Sequence, residues 1–199
     1  MVIEVGANFG GSTLLLASLA SYVYAFEPVP LTFRYLRAFT ARKKNVEACN
    51  LGASNERAIV SMQVGKNPEV SSRFRIRNQQ YERSVPATLV RLDSLRYARK
   101  PSCIVMDCEG SEVDALKGAT GLFDTGLIHC LLIETHYFSD GSSTLESVIS
   151  LVEDYGFDFE IETDSHGMPW ILAQVTGHDQ ASQHAKRVDF TVSDSRFPY

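Results

Sequence analysis

Short apolar runs alternate along this chain with longer stretches whose apolar residues recur every three or four positions. The runs have the look of strands and the periodic stretches of helices, so the pattern predicts successive βα units on a mostly parallel sheet. Met1–Val5 reads as a first strand, Gly10–Ala20 as a helix with Ser12 or Thr13 near its start, and Tyr22–Phe26 as a second strand. Pro28 and Pro30 break the chain and admit a helix to about Arg42, on which Leu31, Tyr35, Leu36 and Phe39 keep helical spacing. Val46–Leu51 is a third strand, and Ala58–Val64 alternates weakly, as an edge strand does. Gly65–Thr88 is polar and shows no helical stripe; within it, Arg73–Arg77 is a candidate strand. Cys103–Asp107 and Leu127–Glu134 are strands of the buried type, separated by a helix through Val113 and Leu116 to Gly118. Ser143 and Glu146 make a capping-box pattern before a helix whose Leu145, Val148, Ile149 and Val152 share a face and which Gly156 ends. Phe157–Ile161, Trp170–Val175 and Val188–Val192 are candidates to close the sheet.

Composition changes this picture little. With 199 residues, 44% hydrophobic and 22% charged, a single globular domain over residues 1–199 is expected. A formal net charge of −5 gives no general attraction to nucleic acid or anionic membranes. A small-molecule or glycan-type substrate is therefore expected, and no nucleic acid. No apolar run reaches the roughly 18 residues of a membrane span, and Met1 leads straight into a strand, so a cytoplasmic location is expected. Cys49, Cys103, Cys108 and Cys130 lack Cys-x-x-Cys spacing and read as reduced thiols.

The first loop carries the chemistry. Val2-Ile-Glu-Val-Gly-Ala-Asn-Phe-Gly-Gly11 is a strand, a glycine-rich turn and a helix start, with Gly6 and Gly10 allowing a tight turn close to a ligand. A dinucleotide fingerprint needs glycine at the second position, where a pyrophosphate touches the backbone; here that position is Asn8. Glu4, two residues before Gly6, would repel a pyrophosphate and suits a cationic ligand, such as the amino group of a methionine moiety beside a sulfonium. Glu27 closes the second strand ahead of Pro28, at about the ~20-residue spacing expected of an acid that bonds ribose hydroxyls. Two carboxylates at neighbouring strand ends fit an adenosyl cation better than a phosphorylated cofactor; the bland alternative is a pair of solvated strand-end charges.

Val2–Gly11, Ala25-Phe-Glu-Pro28, Asn50-Leu-Gly-Ala-Ser54, Val90-Arg-Leu-Asp-Ser-Leu95, Met106-Asp-Cys-Glu-Gly-Ser-Glu112 with Leu116-Lys-Gly-Ala119, and Ile133-Glu-Thr-His136 together resemble the FkbM family of methyltransferases. They fall in that family's order and approximate spacing, from about Val2 to Phe157. The resemblance implies a Rossmann-like class I methyltransferase fold, α/β with a mostly parallel central sheet flanked by helices. It also implies S-adenosylmethionine (AdoMet) as cofactor and O-methylation of a hydroxyl on a natural product, sugar or lipid-like acceptor. It places Glu4, Gly6 and Asn8 at the methionine end, Glu27 at the ribose, and Asn50, Leu51 and Gly52 beside the adenine. Gly10, Pro28, Asp107 and Glu109 complete the candidate cofactor contacts. The family usually carries a segment before the first strand, whereas this sequence starts at the strand itself, which bears on the acceptor site more than on the fold.

Asp107, Glu109 and Glu112 lie at one strand end and the following helix start, and Glu134 and His136 end the next strand two residues apart, on one face. Methyl transfer to oxygen needs an aligned acceptor and a base for its proton. Asp107 or His136 is the candidate base, with Glu134 orienting His136 or the acceptor. Glu112 reads equally well as a surface acid favouring the helix dipole. Asp107, Glu109, Glu134 and His136 form no recognised metal motif, and no metal is expected; oxygen-rich ligation of a divalent ion is the alternative. Arg73, Arg75 and Arg77 would share a strand face, more simply a solvated edge than an anion site. Met168, Pro169 and Trp170 are ordinary packing or a late lid, and His166, His178 and His184 are assigned nothing. Two further readings are a non-catalytic AdoMet-binding module that needs a partner and a nicotinamide-dependent oxidoreductase, the latter disfavoured by Asn8 and Glu4.

Overall fold

The computed structural model describes residues 1–66 and 71–175. Its elements run β1 (Val2–Val5), α1 (Gly11–Leu19), β2 (Val23–Phe26), α2 (Pro30–Thr40), β3 (Val46–Cys49), β4 (Gly52–Ala53), β5 (Ala58–Gly65), β6 (Ser71–Ser72), β7 (Tyr81–Val90), β8 (Cys103–Met106), α3 (Glu112–Lys117), α4 (Thr120–Asp124), β9 (Cys130–Glu134), α5 (Leu145–Asp154), β10 (Phe157–Thr163) and β11 (Pro169–Val175). β1 and β2 are buried at every position, as strands covered on both faces must be.

A seven-stranded sheet has the order β10-β11-β9-β8-β1-β2-β3. Its five strands from β3 to β9 are parallel, and β11 and β10 close the far edge antiparallel. The mostly parallel α/β sheet expected from the sequence is therefore present. β1 lies between β2 and β8, so the winding reverses there, and a crevice opens beyond the carboxyl ends of these strands. Alternate residues feed opposite faces. Val23 and Ala25 of β2 pack with Ala17 of α1 and Leu36 of α2, while Tyr24 and Phe26 join the larger core with Leu116 of α3 and Val148 and Val152 of α5. Ser143 Oγ accepts the backbone N–H of Leu145 at the start of α5. Among the described residues no helix is long and apolar enough to cross a membrane. The expected strand at Val188–Val192 lies outside the described residues, as do His178 and His184.

The polar stretch Gly65–Thr88 is where sequence and structure differ most. Tyr81–Val90 is a ten-residue strand, β7, and with β4, β5 and β6 it builds a second sheet of order β4-β7-β5-β6. Only one face of β7 is covered: Val85, Ala87 and Leu89 turn inward, Val85 and Ala87 against Val29, Met62 and Val64, and charged or hydroxyl residues alternate with them. Pro86 is tolerated because β4 reaches only Leu89 and Val90, leaving that side of Pro86 without a partner strand. Arg73–Arg77 does not form a strand with its arginines on one face. Ile76 makes an isolated bridge to Phe138, Arg73 pairs with Asp114 of α3 at 3.4 Å and lies over the Phe74 ring, and Arg77 turns elsewhere.

Gly118 ends α3 where the chain touches the second sheet. A Cβ there would stand 1.9 Å from the carbonyl oxygen of Ser54, a backbone atom with little freedom to retreat. Gly118→Ala is expected to cost about 3 kcal/mol, the upper end of overpacking, lowering the melting temperature by roughly 6–12 °C for a chain of this size. Thermal unfolding followed by circular dichroism checks this; an unchanged midpoint would mean the contact is slack.

Candidate active site

The loop after β1 is held by its own backbone. Gly6 and Ala7 both donate to the Phe26 carbonyl, Gly10 donates to Ala7, and the Asn8 N–H donates to Glu27 Oε2 at 3.1 Å. Gly6 has φ +87°, and a Cβ on it would overlap the Asp107 carbonyl oxygen at 1.7 Å, so only glycine lets the β1 and β8 ends meet. Asn8 takes the left-handed conformation at φ 51°, which asparagine accepts better than most residues. These loop N–H groups, which in a dinucleotide site would face a pyrophosphate, are spent inside the protein, one of them on a carboxylate.

Glu27 is 6% exposed and accepts a second bond from the Val29 N–H at 2.8 Å. Burial pushes its carboxyl up to about 7, against the pull of the two N–H donors. Asn50 Nδ2 donates to the carbonyls of Glu27 and Pro28 and so fixes the turn that presents Glu27. The crevice at these strand ends is walled by Gly6, Asn8, Glu27, Pro28, Gly52, Asp107 and Glu109 among the expected residues. Glu4, Gly10, Asn50 and Leu51 are not on its wall. Glu4 lies one layer back, 2% exposed, accepting the Thr13 hydroxyl at 2.6 Å; burial raises its carboxyl, with Ser12 and Thr13 opposing. Gly10 packs against Leu36.

Sequence reasoning misses the apolar wall. Met62 of β5 and Leu89 of β7 face the crevice, with Thr32, Ser71 and Ser111 supplying hydroxyls. The signal for Met62 and Leu89 is the inward alternation of β5 and β7, hidden by the polar outer face of β7.

The segment Asp107-Cys-Glu-Gly-Ser-Glu112 folds into a tight corner between β8 and α3. Glu109 and Gly110 both take positive φ, 52° and 93°. The Gly110 N–H then donates to Glu112 Oε1 at 3.0 Å, and Ser72 Oγ of β6 donates to the Glu109 carbonyl at 2.6 Å. Glu112 is not a surface acid: it is fully buried, and its Oε1 meets His136 Nδ1 at 3.0 Å. His136 Nε2 faces Asp107 Oδ1 at 3.6 Å and Glu109 Oε2 at 3.7 Å. Asp107, though crowded by protein, leaves half of its side chain open to the crevice.

Three acids thus surround one imidazole. Burial pulls His136 down, but the Glu112 hydrogen bond and the charges of Glu112, Glu109 and Asp107 outweigh it and lift the ring to about 9. Glu112 is held low despite its burial, chiefly by the His136 hydrogen bond. Burial and neighbouring carboxylates push Glu109 to about 7 and Glu134 to about 8, and burial raises Asp107. A second cavity opens beyond this cluster. Glu134, His136, Tyr137, Arg77, His166 and Met168 line it, and Glu109 is shared with the first crevice. His166 and Met168 come from the turn between β10 and β11, so the Met168 segment borders this cavity rather than only packing.

The two cavities share Glu109, one rimmed by Glu27 and Asp107 and the other by Glu134 and His136. The solved structures that resemble the chain have this fold. A methyltransferase FkbM from Methylobacillus flagellatus aligns with TM-score 0.64 at 17% identity, covering 86% of this chain and 42% of that protein. The chain therefore spans about two-fifths of that relative. Fibrillarin from Aeropyrum pernix, solved with natively bound AdoMet, aligns with TM-score 0.54 at 12% identity over 86% of this chain and 65% of its own. An rRNA methylase from Streptococcus thermophilus aligns with TM-score 0.53 at 17% identity over 87% and 86%. No curated protein matches the sequence. The model of the FkbM methyltransferase domain matches residues 4–159, more than three-quarters of the chain, and the protein belongs to the FkbM methyltransferase family.

Proposed function

We propose that the protein is an AdoMet-dependent methyltransferase acting on a hydroxyl of a small-molecule, sugar or lipid-like acceptor. The observation that carries the cofactor reading is the Asn8 N–H bonded to the Glu27 carboxylate at 3.1 Å. A loop whose amide holds an acid has nothing to offer a pyrophosphate, while the acid remains available to ribose hydroxyls. The residues fit the group: Glu27 at the ribose, Gly52, Met62 and Leu89 around the adenine, and Gly6, Asn8 and Asp107 towards the methionine end. Glu4 acts from behind the loop through its field rather than by contact.

When bound, AdoMet supplies an electrophilic methyl group on a sulfonium. Glu109 and Glu134 border the second cavity and position the acceptor hydroxyl for in-line approach, where alignment supplies much of the acceleration. Asp107 is the base. It lines the donor crevice and keeps an open edge. With AdoMet bound, Asp107 would take the acceptor's hydroxyl proton as the methyl group is transferred. His136 is a poorer base than expected, because both of its ring nitrogens face carboxylates. It holds the acids in place as their counter-charge.

Isothermal calorimetry with AdoMet and with NAD tests the cofactor. AdoMet is expected to bind in the micromolar range and NAD not at all; the reverse outcome removes this reading. A methyl-transfer assay over hydroxylated sugars, lipids and natural products, with an RNA oligonucleotide included, tests the acceptor. Incorporation only into RNA overturns the acceptor class, and none into any acceptor favours a binding module.

A further inference from the structure

Three ligand atoms converge between the two cavities. Asp107, Glu109 and His136 each offer one atom, all within 4.8 Å of one another. The Nε2 distances to the two carboxylate oxygens, 3.6 and 3.7 Å, are those that metal–ligand bonds of about 2.1 Å subtend at an angle of roughly 120°. A divalent ion therefore fits between them with small adjustments of Asp107 and Glu109.

The support behind the imidazole points the same way. A ligating histidine generally gives its other N–H to a carboxylate, which fixes tautomer and ring orientation. Glu112 does this here: it is fully buried, its Oε1 meets Nδ1 at 3.0 Å, and its Oε2 has no partner among the described residues. A buried acid oriented by Gly110 and spent on a single imidazole is costly, and costlier than orienting a surface histidine would require. The charge balance also favours a cation: a ligating His136 is neutral, which leaves Asp107, Glu109, Glu112 and Glu134 with no cationic partner in the cluster.

We propose that Asp107, Glu109 and His136 bind a divalent first-row cation such as Mn²⁺ or Zn²⁺, with Glu112 as the positioning residue behind His136. This departs from the sequence expectation of no metal and rests on the methyltransferase reading for its purpose. Three protein ligands leave coordination positions open towards the second cavity. An acceptor hydroxyl bound there is acidified as a Lewis-acid ligand, favouring acceptors with two neighbouring oxygens. Its proton passes to the carboxylate oxygen of Asp107 that does not ligate the ion, and no further co-reactant is required.

The test uses the whole chain stripped with EDTA and dialysed, with Mn²⁺ as probe. Electron paramagnetic resonance is expected to show one bound Mn²⁺ per chain, displaced by Zn²⁺. Glu109→Gln and His136→Ala should each weaken binding at least tenfold, while Glu56→Gln, on a distant exposed turn, leaves it unchanged. Glu109 is partly exposed, so its variant remains informative if His136→Ala unfolds. No bound Mn²⁺ or Zn²⁺ at millimolar concentration, or equal binding by parent and Glu109→Gln, overturns the site. AdoMet calorimetry on the same stripped protein separates the failures: AdoMet bound without metal binding sinks the cation alone, and AdoMet unbound sinks the methyltransferase reading.

Discussion

Glu27→Gln is expected to weaken AdoMet binding by about 10- to 100-fold, the loss associated with hydrogen bonds to a charged group of roughly 1.5–3 kcal/mol, while making the ligand-free protein more resistant to unfolding at alkaline pH. The two effects share one cause. Glu27 is almost fully buried, and burial lifts its carboxyl from 4.5 to about 7. The folded chain therefore binds a proton that the unfolded chain releases between these values. Stability contributed by this group is fully present below pH 4.5 and is lost as pH rises through about 7; the loss is at most about 3 kcal/mol, from 1.36 kcal/mol per pKa unit. Glutamine removes that titration. It keeps one acceptor oxygen, but its amide nitrogen cannot accept the other of the Asn8 and Val29 N–H bonds, so part of the gain is given back. The signature is a flatter dependence of melting temperature on pH between about 4.5 and 7.5 in the variant, alongside a higher Kd for AdoMet by calorimetry. A variant that binds AdoMet within threefold of the parent would mean that Glu27 does not touch the ribose.

The position of this acid is readable from the chain because three local signals converge on it: a short buried run, a proline immediately after, and a fixed distance from the glycine turn. The same holds for β1 and β2, buried at every position, and for β8 and β9, short apolar runs in which buried and half-buried residues alternate. β7 is not readable, since a strand covered on one face and interrupted by Pro86 looks like a polar loop until its partner β5 is known. Leu89 and Met62 stay hidden with it. Glu112 is misread in part for a related reason. An acid in the first turn of a helix is usually explained by the dipole, and nothing local shows that a histidine 24 residues away will approach it at 3.0 Å. The layer that Glu4 occupies is likewise not legible: sequence position fixes the strand but not which layer the side chain enters, and Glu4 accepts the Thr13 hydroxyl of α1.

Asp107→Asn is expected to lower kcat by about 10²- to 10⁴-fold, the usual contribution of a positioned base, with AdoMet affinity changed less than tenfold because the ribose and adenine contacts lie elsewhere. Asparagine preserves size but cannot take the acceptor proton. His136→Ala is expected to behave differently. It strips the counter-charge from Glu112, which is fully buried, and breaking such a pair costs about 3–5 kcal/mol, so stability falls along with rate. His136→Gln retains a donor for Glu112 and should recover much of the stability without restoring full turnover. Rapid-quench measurement of methyl transfer, with the acceptor identified by the panel, separates chemistry from product release. If Asp107→Asn turns over at the parental rate while binding AdoMet normally, the proton leaves by another route, and Glu134, a wall of the acceptor cavity, becomes the group to replace next.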